Sequence, residues 1–277
     1  MRILLTTTIA AVLLSSSAVA ETFPGSLPDQ RVAKGSRGIT AAWLAEPTTR
    51  YRHFVLGARY EAASLRVRTT DGLELQLRLP KHAVFEDRIP RLADLDGDGR
   101  DEIVVVKSTL DRGAAISIIG VRNGRLEIIA ETQPTGSSNT WVNPAGIADF
   151  DGDGRLDIAF VQMPHVLGRL RVVTLRDGTL VETMRVEDTS NHVAGSAHLE
   201  LAAVADFDGD GIADLAIPSL DRRSLRFLRF KRGVVEEIAR KPLPAAAVSD
   251  FRLEEAGSGA VVVVGLEGGR QVRVRPR

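Results

Sequence analysis

The chain has 277 residues, with 36 basic and 36 acidic side chains, five histidines and no cysteine. A balanced charge argues against a dedicated nucleic-acid binder, which would usually carry a large basic excess. Without cysteines, only core packing and metal are left to staple an exported fold, and the length suits one large all-β core.

The first residues read as an export signal. Arg2 supplies the positive region, Ile3 to Leu14 a mostly apolar run, and Ala18-Val-Ala20 a cleavage signal before Glu21. The run is too short for a permanent bilayer span. No second long apolar stretch follows, so the mature chain (21–277) is expected to be exported, periplasmic or extracellular, and not membrane-spanning. Calcium can be plentiful there, which suits weak sites of about 10⁻⁴–10⁻³ M. Next, Asp29-Gln-Arg-Val-Ala33 reads as a short strand. Ala41-Ala-Trp43 and Tyr51–Leu56 read as the first two strands of a unit, joined by a loop, Ala45–Arg50, that has no cluster of acids and is expected to hold no metal. Ser64–Arg68 and Leu73–Leu79 follow around Asp71-Gly72. Leu73, Leu75, Leu77 and Leu79 alternate with polar residues, as a half-buried outer strand does.

One nine-residue phrase then occurs three times: Asp94-Leu-Asp96-Gly-Asp98-Gly-Arg-Asp-Glu102, Asp149-Phe-Asp151-Gly-Asp153-Gly-Arg-Leu-Asp157 and Asp206-Phe-Asp208-Gly-Asp210-Gly-Ile-Ala-Asp214. Acids stand at positions 1, 3, 5 and 9, and glycines at 4 and 6. Four carboxylates on one short loop repel strongly without a counter-ion. A hard divalent cation resolves the conflict, since Ca²⁺ takes about 6–8 oxygen ligands and tolerates irregular geometry. The phrase begins like an EF-hand loop, but position 12 is Val105, Phe160 or Ile217 rather than a bidentate glutamate. Short β-branched runs follow each copy (Ile103–Val106, Ile158–Val161, Leu215–Ile217), so the loop joins two strands.

Ala93–Val106, Ala148–Val161 and Ala205–Ile217 resemble the FG-GAP or VCBS repeat, the blade unit of integrin-type β-propellers. The resemblance implies Ca²⁺ in each loop, up to three ions. The ligands it implies are the side chains of Asp94, Asp96, Asp98 and Glu102, of Asp149, Asp151, Asp153 and Asp157, and of Asp206, Asp208, Asp210 and Asp214. It adds the backbone carbonyls of Arg100, Arg155 and Ile212. Glu102 departs from the family's aspartate, and Asp101 stands beside it.

The loop starts are 55 and 57 residues apart, periods that suit a four-stranded blade. Two further strands complete each unit: Ala115–Gly120 and Leu126–Ala130 around Asn123-Gly124, Arg169–Leu175 and Leu180–Val186 around Asp177-Gly178, and Leu225–Phe230 and Val234–Ile238 around Gly233. A last unit starts at Ala247-Val-Ser-Asp250-Phe251, has a loop at 252–259 without the acidic core, and continues through Ala260–Val264 and Gln271–Arg275. The expected fold is therefore all-β, a β-propeller of five four-stranded blades in a single domain. The blades fall near 36–80, 88–132, 144–187, 200–240 and 245–277. The strand at 29–34 is expected to supply the missing outer strand of the last blade, since closure removes open sheet edges.

The chemistry left over is thin. Glu46, Glu61, Asp87, Asp111, Glu131, Asp188, Glu200 and Asp221 are unclaimed acids, none at a recurring blade position, and read as solvated loop acids. His53, His82, His165, His192 and His198 show no zinc-ligand spacing, and no nucleophile elbow or phosphate-binding loop is present. The loops at 81–88, 133–143 and 191–200 gather on the face opposite the metal loops, where Trp141 is either a stacking platform or a core residue. Arg222, Arg223, Arg226, Arg229, Lys231 and Arg232, with Arg270, Arg273, Arg275 and Arg277, form a basic stretch that either attracts anions or protects a sheet edge. The expected function is that of a monomeric, non-enzymatic calcium-binding module for a protein or glycan. The alternative is a hydrolase or lyase acting on extracellular carbohydrate from the central channel.

Overall fold

A computed structural model describes residues 22–277 apart from 232, 257 and 258; the export signal and its cleavage point lie outside the described residues. Every regular element among the described residues is a strand. In the first unit β1 (Val32–Lys34), β2 (Ile39–Thr48), β3 (Glu61–Thr69) and β4 (Glu74–Arg78) pair antiparallel in chain order. In the second, β5 (Ala83–Phe85) and β6 (Arg91–Ala93) lie end to end along β7 (Glu102–Thr109), followed by β8 (Gly113–Arg122) and β9 (Arg125–Glu131). A bridge from Ala62 to Phe85 joins these two units into one nine-stranded sheet. β10 (Val142–Ala148) to β13 (Thr179–Val186) form a four-stranded sheet through β11 (Asp157–Gln162) and β12 (Arg169–Arg176). β14 (Ala203–Ala205), β15 (Asp214–Pro218), β16 (Ser224–Lys231) and β17 (Val234–Pro242) form another, and β18 (Ala247–Ala256), β19 (Gly259–Leu266) and β20 (Gln271–Val274) a three-stranded one.

The predicted hairpins form as their residues require. Asn123-Gly124 has φ of 50° and 73°, and Asp177-Gly178 has 48° and 74°, the left-handed pair of a type I′ turn. In β4, Glu74, Gln76 and Arg78 are exposed while Leu75 and Leu77 are half-buried. The apolar core lies between successive units. Leu65 and Val67 meet Ile103 and Val105; Val104 and Ile116 meet Phe160 and Val173; Val161 and Val172 meet Leu215 and Leu228; Phe227 meets Val262 and Val264. Sheets that each bury a face on the next give a β-propeller-like arrangement.

Three expectations need correction. Val32–Lys34 does not complete the last sheet: it pairs with β2, at Val32↔Trp43 and Lys34↔Ala41. Its partner is only four residues away, and short-loop closure costs far less entropy than reaching the other end of the chain. The last sheet keeps three strands, and no apolar cluster among the described residues joins it to the first unit. Phe23 instead covers the outer face of the first unit, its ring 5.2 Å from Trp43.

Second, Tyr51–Leu56 is not a strand, and Ala41–Trp43 lies within the second strand rather than the inner one. Residues 49–60 form a strap instead. The Tyr51 hydroxyl accepts from the amide of Asn139 at 3.0 Å, and the Val55 carbonyl accepts from Gly195 at 2.8 Å. Val55 and Leu56 share a core with Trp141 and Leu199. The position equivalent to an acidic loop is therefore 35–38, and Arg37 there pairs with Asp101 of the neighbouring loop at 2.8 Å. Third, most of the loop expected at 252–259 is strand β18, which pairs antiparallel with β19.

The strap passes close to the 195 loop at Gly57. Its φ is +74°, and a Cβ there would lie 2.7 Å from the Gly195 carbonyl oxygen. Gly57→Ala is therefore expected to lower stability by about 1–3 kcal/mol, seen as a lower urea midpoint at unchanged slope.

Candidate metal centres

Each acidic loop sits between a short inner strand and the buried second strand of its unit, and all three fold alike. The position-1 carboxylate accepts the amides of the two glycines: Asp94 from Gly97 and Gly99 at 2.9 and 3.0 Å, Asp149 from Gly152 and Gly154 at 2.8 and 2.9 Å, Asp206 from Gly209 and Gly211 at 2.7 and 2.9 Å. Position 3 accepts from the amide of position 5, and position 5 from that of position 7 (Arg100, Arg155 or Ile212). The glycines adopt φ between 74° and 87°. That left-handed backbone is why glycine stands there; of the six, only Gly152 would also bring a Cβ close to a neighbour, 3.0 Å from Ile212 Cδ1.

The position-9 acid opens the second strand and is buried in every copy (Glu102 1%, Asp157 1%, Asp214 0% exposed). One oxygen accepts the amide of position 2, at 3.0 Å from Leu95, 3.2 Å from Phe150 and 2.9 Å from Phe207. Burial, relieved in part by that bond and reinforced by the neighbouring loop aspartates, pushes the Glu102 carboxyl up to about 7 and those of Asp157 and Asp214 to about 6. The other oxygen differs by copy: Asp157 accepts from the Thr174 hydroxyl, Glu102 lies 3.7 Å from Arg122, and Asp214 Oδ1 is buried with no partner. A buried carboxyl oxygen without a partner, on a group whose proton affinity burial and the neighbouring Asp206, Asp208 and Asp210 raise, is what a nearby cation would relieve.

Ligand-capable oxygens converge within 4.8 Å in three groups: Asp94, Asp96 and Glu102; Asp149, Asp151 and Asp157; Asp206, Asp208 and Asp210. Asp98, Asp153 and Asp214 stand outside these groups. A third-strand arginine neutralises one acid of each loop, through Arg122–Asp96 at 3.0 Å, Arg176–Asp153 at 3.2 Å and Arg229–Asp208 at 2.7 Å. The donor set is all oxygen and mostly carboxylate, which suits a hard divalent ion. Val105, Phe160 and Ile217, at position 12, are buried strand residues.

Away from the loops, Trp141 is 2% exposed and its Nε1 donates to the Glu86 carbonyl at 2.9 Å, so it belongs to the core. Glu61 and Asp87 are buried rather than solvated. Much of the basic stretch is consumed by ion pairs. Arg226 is buried against Glu237 at 2.7 Å, Arg229 meets Asp208 and Glu236, and Arg273 meets Glu254 at 2.8 Å. Sequence reasoning missed the pairing of His53 with fully buried Glu86 at 2.6 Å and of His165 with His192 at 2.9 Å. No spacing could have found them, because the partners are 33 and 27 residues apart. No helix among the described residues is long and apolar enough to cross a membrane.

Residues 94–160 and 149–217 match the FG-GAP-like repeat, each match running from one acidic loop through the strand after the next. A comparison with the curated proteins finds no match.

Asp214 separates burial from metal binding. Its raised pKa means that its contribution to stability is intact below about 4 and is lost as pH rises through about 6. With divalent ions chelated, Asp214→Asn is therefore expected to be more stable than the parent at pH 7.5 by on the order of 2 kcal/mol. Urea unfolding at stepped pH should show the gain fading to nothing near pH 4.

Proposed function

We propose that this chain, with FG-GAP-like repeats over residues 94–217, is an exported, calcium-stabilised β-propeller that serves as a non-enzymatic interaction module for a protein or glycan. It is a single-domain monomer with five blades, the last one strand short. The observation that carries the reading is the threefold acidic loop, closed each time by a buried acid at position 9. Ca²⁺ would be held by Asp94, Asp96, Asp98 and Glu102, by Asp149, Asp151, Asp153 and Asp157, and by Asp206, Asp208, Asp210 and Asp214. The carbonyls of Arg100, Arg155 and Ile212 complete the three sets. The ions neutralise the loops and fix each inner strand to the next, leaving the opposite ends of the units for a partner.

The enzymatic alternative has weaker support. The cavity between the inner strands, about 320 Å³, is lined by Arg91, Ala145, Ile147, Ala202 and Val204, with Glu200 as its only carboxylate. Glycoside hydrolysis generally needs two acids facing each other.

Ca²⁺ is expected to raise the free energy of unfolding by about 2.7 kcal/mol per site at 100-fold excess over Kd, seen as a higher melting temperature that chelation should reverse. Asp151→Ala should lower the calorimetric stoichiometry by one without unfolding the chain. Unchanged melting with no Ca²⁺ uptake would reject the metal assignment. Turnover of any member of a polysaccharide panel, lost on Glu200→Gln, would reject the binding-only reading.

A further inference from the structure

The strap brings His53 to the end of the units opposite the metal loops. There it borders a cavity of about 80 Å³ together with Asn139, Trp141, Met163, His165 and Val166. Among the described residues ten non-glycine residues have left-handed φ, and four of them stand in or next to the wall of this cavity: Arg52 (61°), Phe54 (56°), Asn139 (56°) and Met163 (51°). Arg52 and Phe54 flank His53, and the other two line the wall. Backbone strain of this kind persists only where surrounding contacts hold it, and it concentrates at ligand sites.

Both histidines on the wall are oriented from behind. His53 Nδ1 is hydrogen-bonded to Glu86 Oε1 at 2.6 Å, and Glu86 Oε2 accepts the Ser108 hydroxyl at 2.5 Å. On the other side a relay sets the tautomers. A carbonyl can only accept, so His192 Nε2, 3.0 Å from the Ser196 carbonyl, carries a proton. Burial holds both His192 and His165 well below the ordinary imidazole range, at about 3 and about 4, so both are neutral. His192 Nδ1 is then the acceptor, and His165 Nε2 donates to it at 2.9 Å. His165 Nδ1 is left as a lone pair. Neither that atom nor His53 Nε2 has a hydrogen-bond partner among the described residues, and neither is among the atoms sealed from solvent.

Two held imidazole nitrogens over an apolar wall could serve a metal or a molecule. The histidines belong to no group of three ligand atoms within 4.8 Å among the described residues, so a metal would find two ligands at most. An anion would meet the lone pair of His165. The set suits hydroxyl donors with an adjoining C–H surface, which Met163, Pro164 and the exposed Val166 would cover. We infer that the pocket formed by His53, Asn139, Trp141, Met163 and His165 takes one hydroxyl-bearing edge of the terminal sugar of a neutral glycan, the rest of the ring lying outside it against the exposed Val166. This rests on the interaction-module reading and narrows its ligand from protein or glycan to glycan.

Saturation-transfer NMR followed by calorimetric titration with the methyl glycosides of glucose, galactose, mannose and fucose tests it on the full chain. At least one glycoside should bind. His165→Phe, which keeps the ring facing Trp141 but removes the lone pair, should weaken that binding at least tenfold. Val166→Trp should do the same by filling the mouth; Val166 is 74% exposed, so this change spares the core. The Ca²⁺-linked rise in melting temperature should persist in both variants. The inference is overturned if no glycoside binds, or if binding is unchanged in Val166→Trp. If glycosides fail but the chain retains a protein ligand, the pocket assignment falls and the interaction module stands; if neither binds, both fall.

Discussion

The bond from the position-9 acid to the amide of position 2 is the contact on which the repeats depend. It ties the start of the second strand to the residue that leaves the inner strand, and that residue is apolar each time. Leu95 enters the core between the second and third units. Phe150 packs 5.0 Å from Phe230 of the fourth unit, and Phe207 packs 5.0 Å from Phe227 in the core that leads to the fifth. One buried carboxylate thus sets both the loop and the wedge between neighbouring sheets. Its cost is an acid held away from water beside other acids, which is why its carboxyl is pushed towards neutrality.

The first unit solves the same problem without acids. Its loop is short, and Arg37 reaches across to Asp101, so a fixed guanidinium stands beside the neighbouring acidic loop. At the other end of the unit, the chain between β2 and β3 extends into the strap. Tyr51, His53, Val55 and Gly57 then meet loops of the second, third and fourth units. The degenerate unit therefore organises the end opposite the metal loops, where the His53 and His165 pairs converge around Trp141.

Much of the fold was legible in the chain. The Asn-Gly and Asp-Gly turns, the alternation in β4 and the β-branched runs after each acidic loop are local signals, set by φ preference and by period-two burial. The three acidic loops were legible for the same reason, since their carboxylates lie within nine residues of one another. The errors fell where local signals were weak. Tyr51–Leu56 has the apolar content of a strand, yet left-handed φ at Arg52 and Phe54 removes it from any sheet.

The sequence by itself determined the repeat, the strands and the acids that gather in each loop, because these follow from residues close together along the chain. Only the tertiary structure decided that β1 pairs with its neighbour instead of closing the last sheet, which oxygens converge, and that Asp214 keeps one buried oxygen without a partner. It likewise decided that His53 meets Glu86 and that His165 meets His192. Those contacts depend on how sheets stack and on where a long connection crosses, and packing of that kind leaves no periodic trace in the sequence.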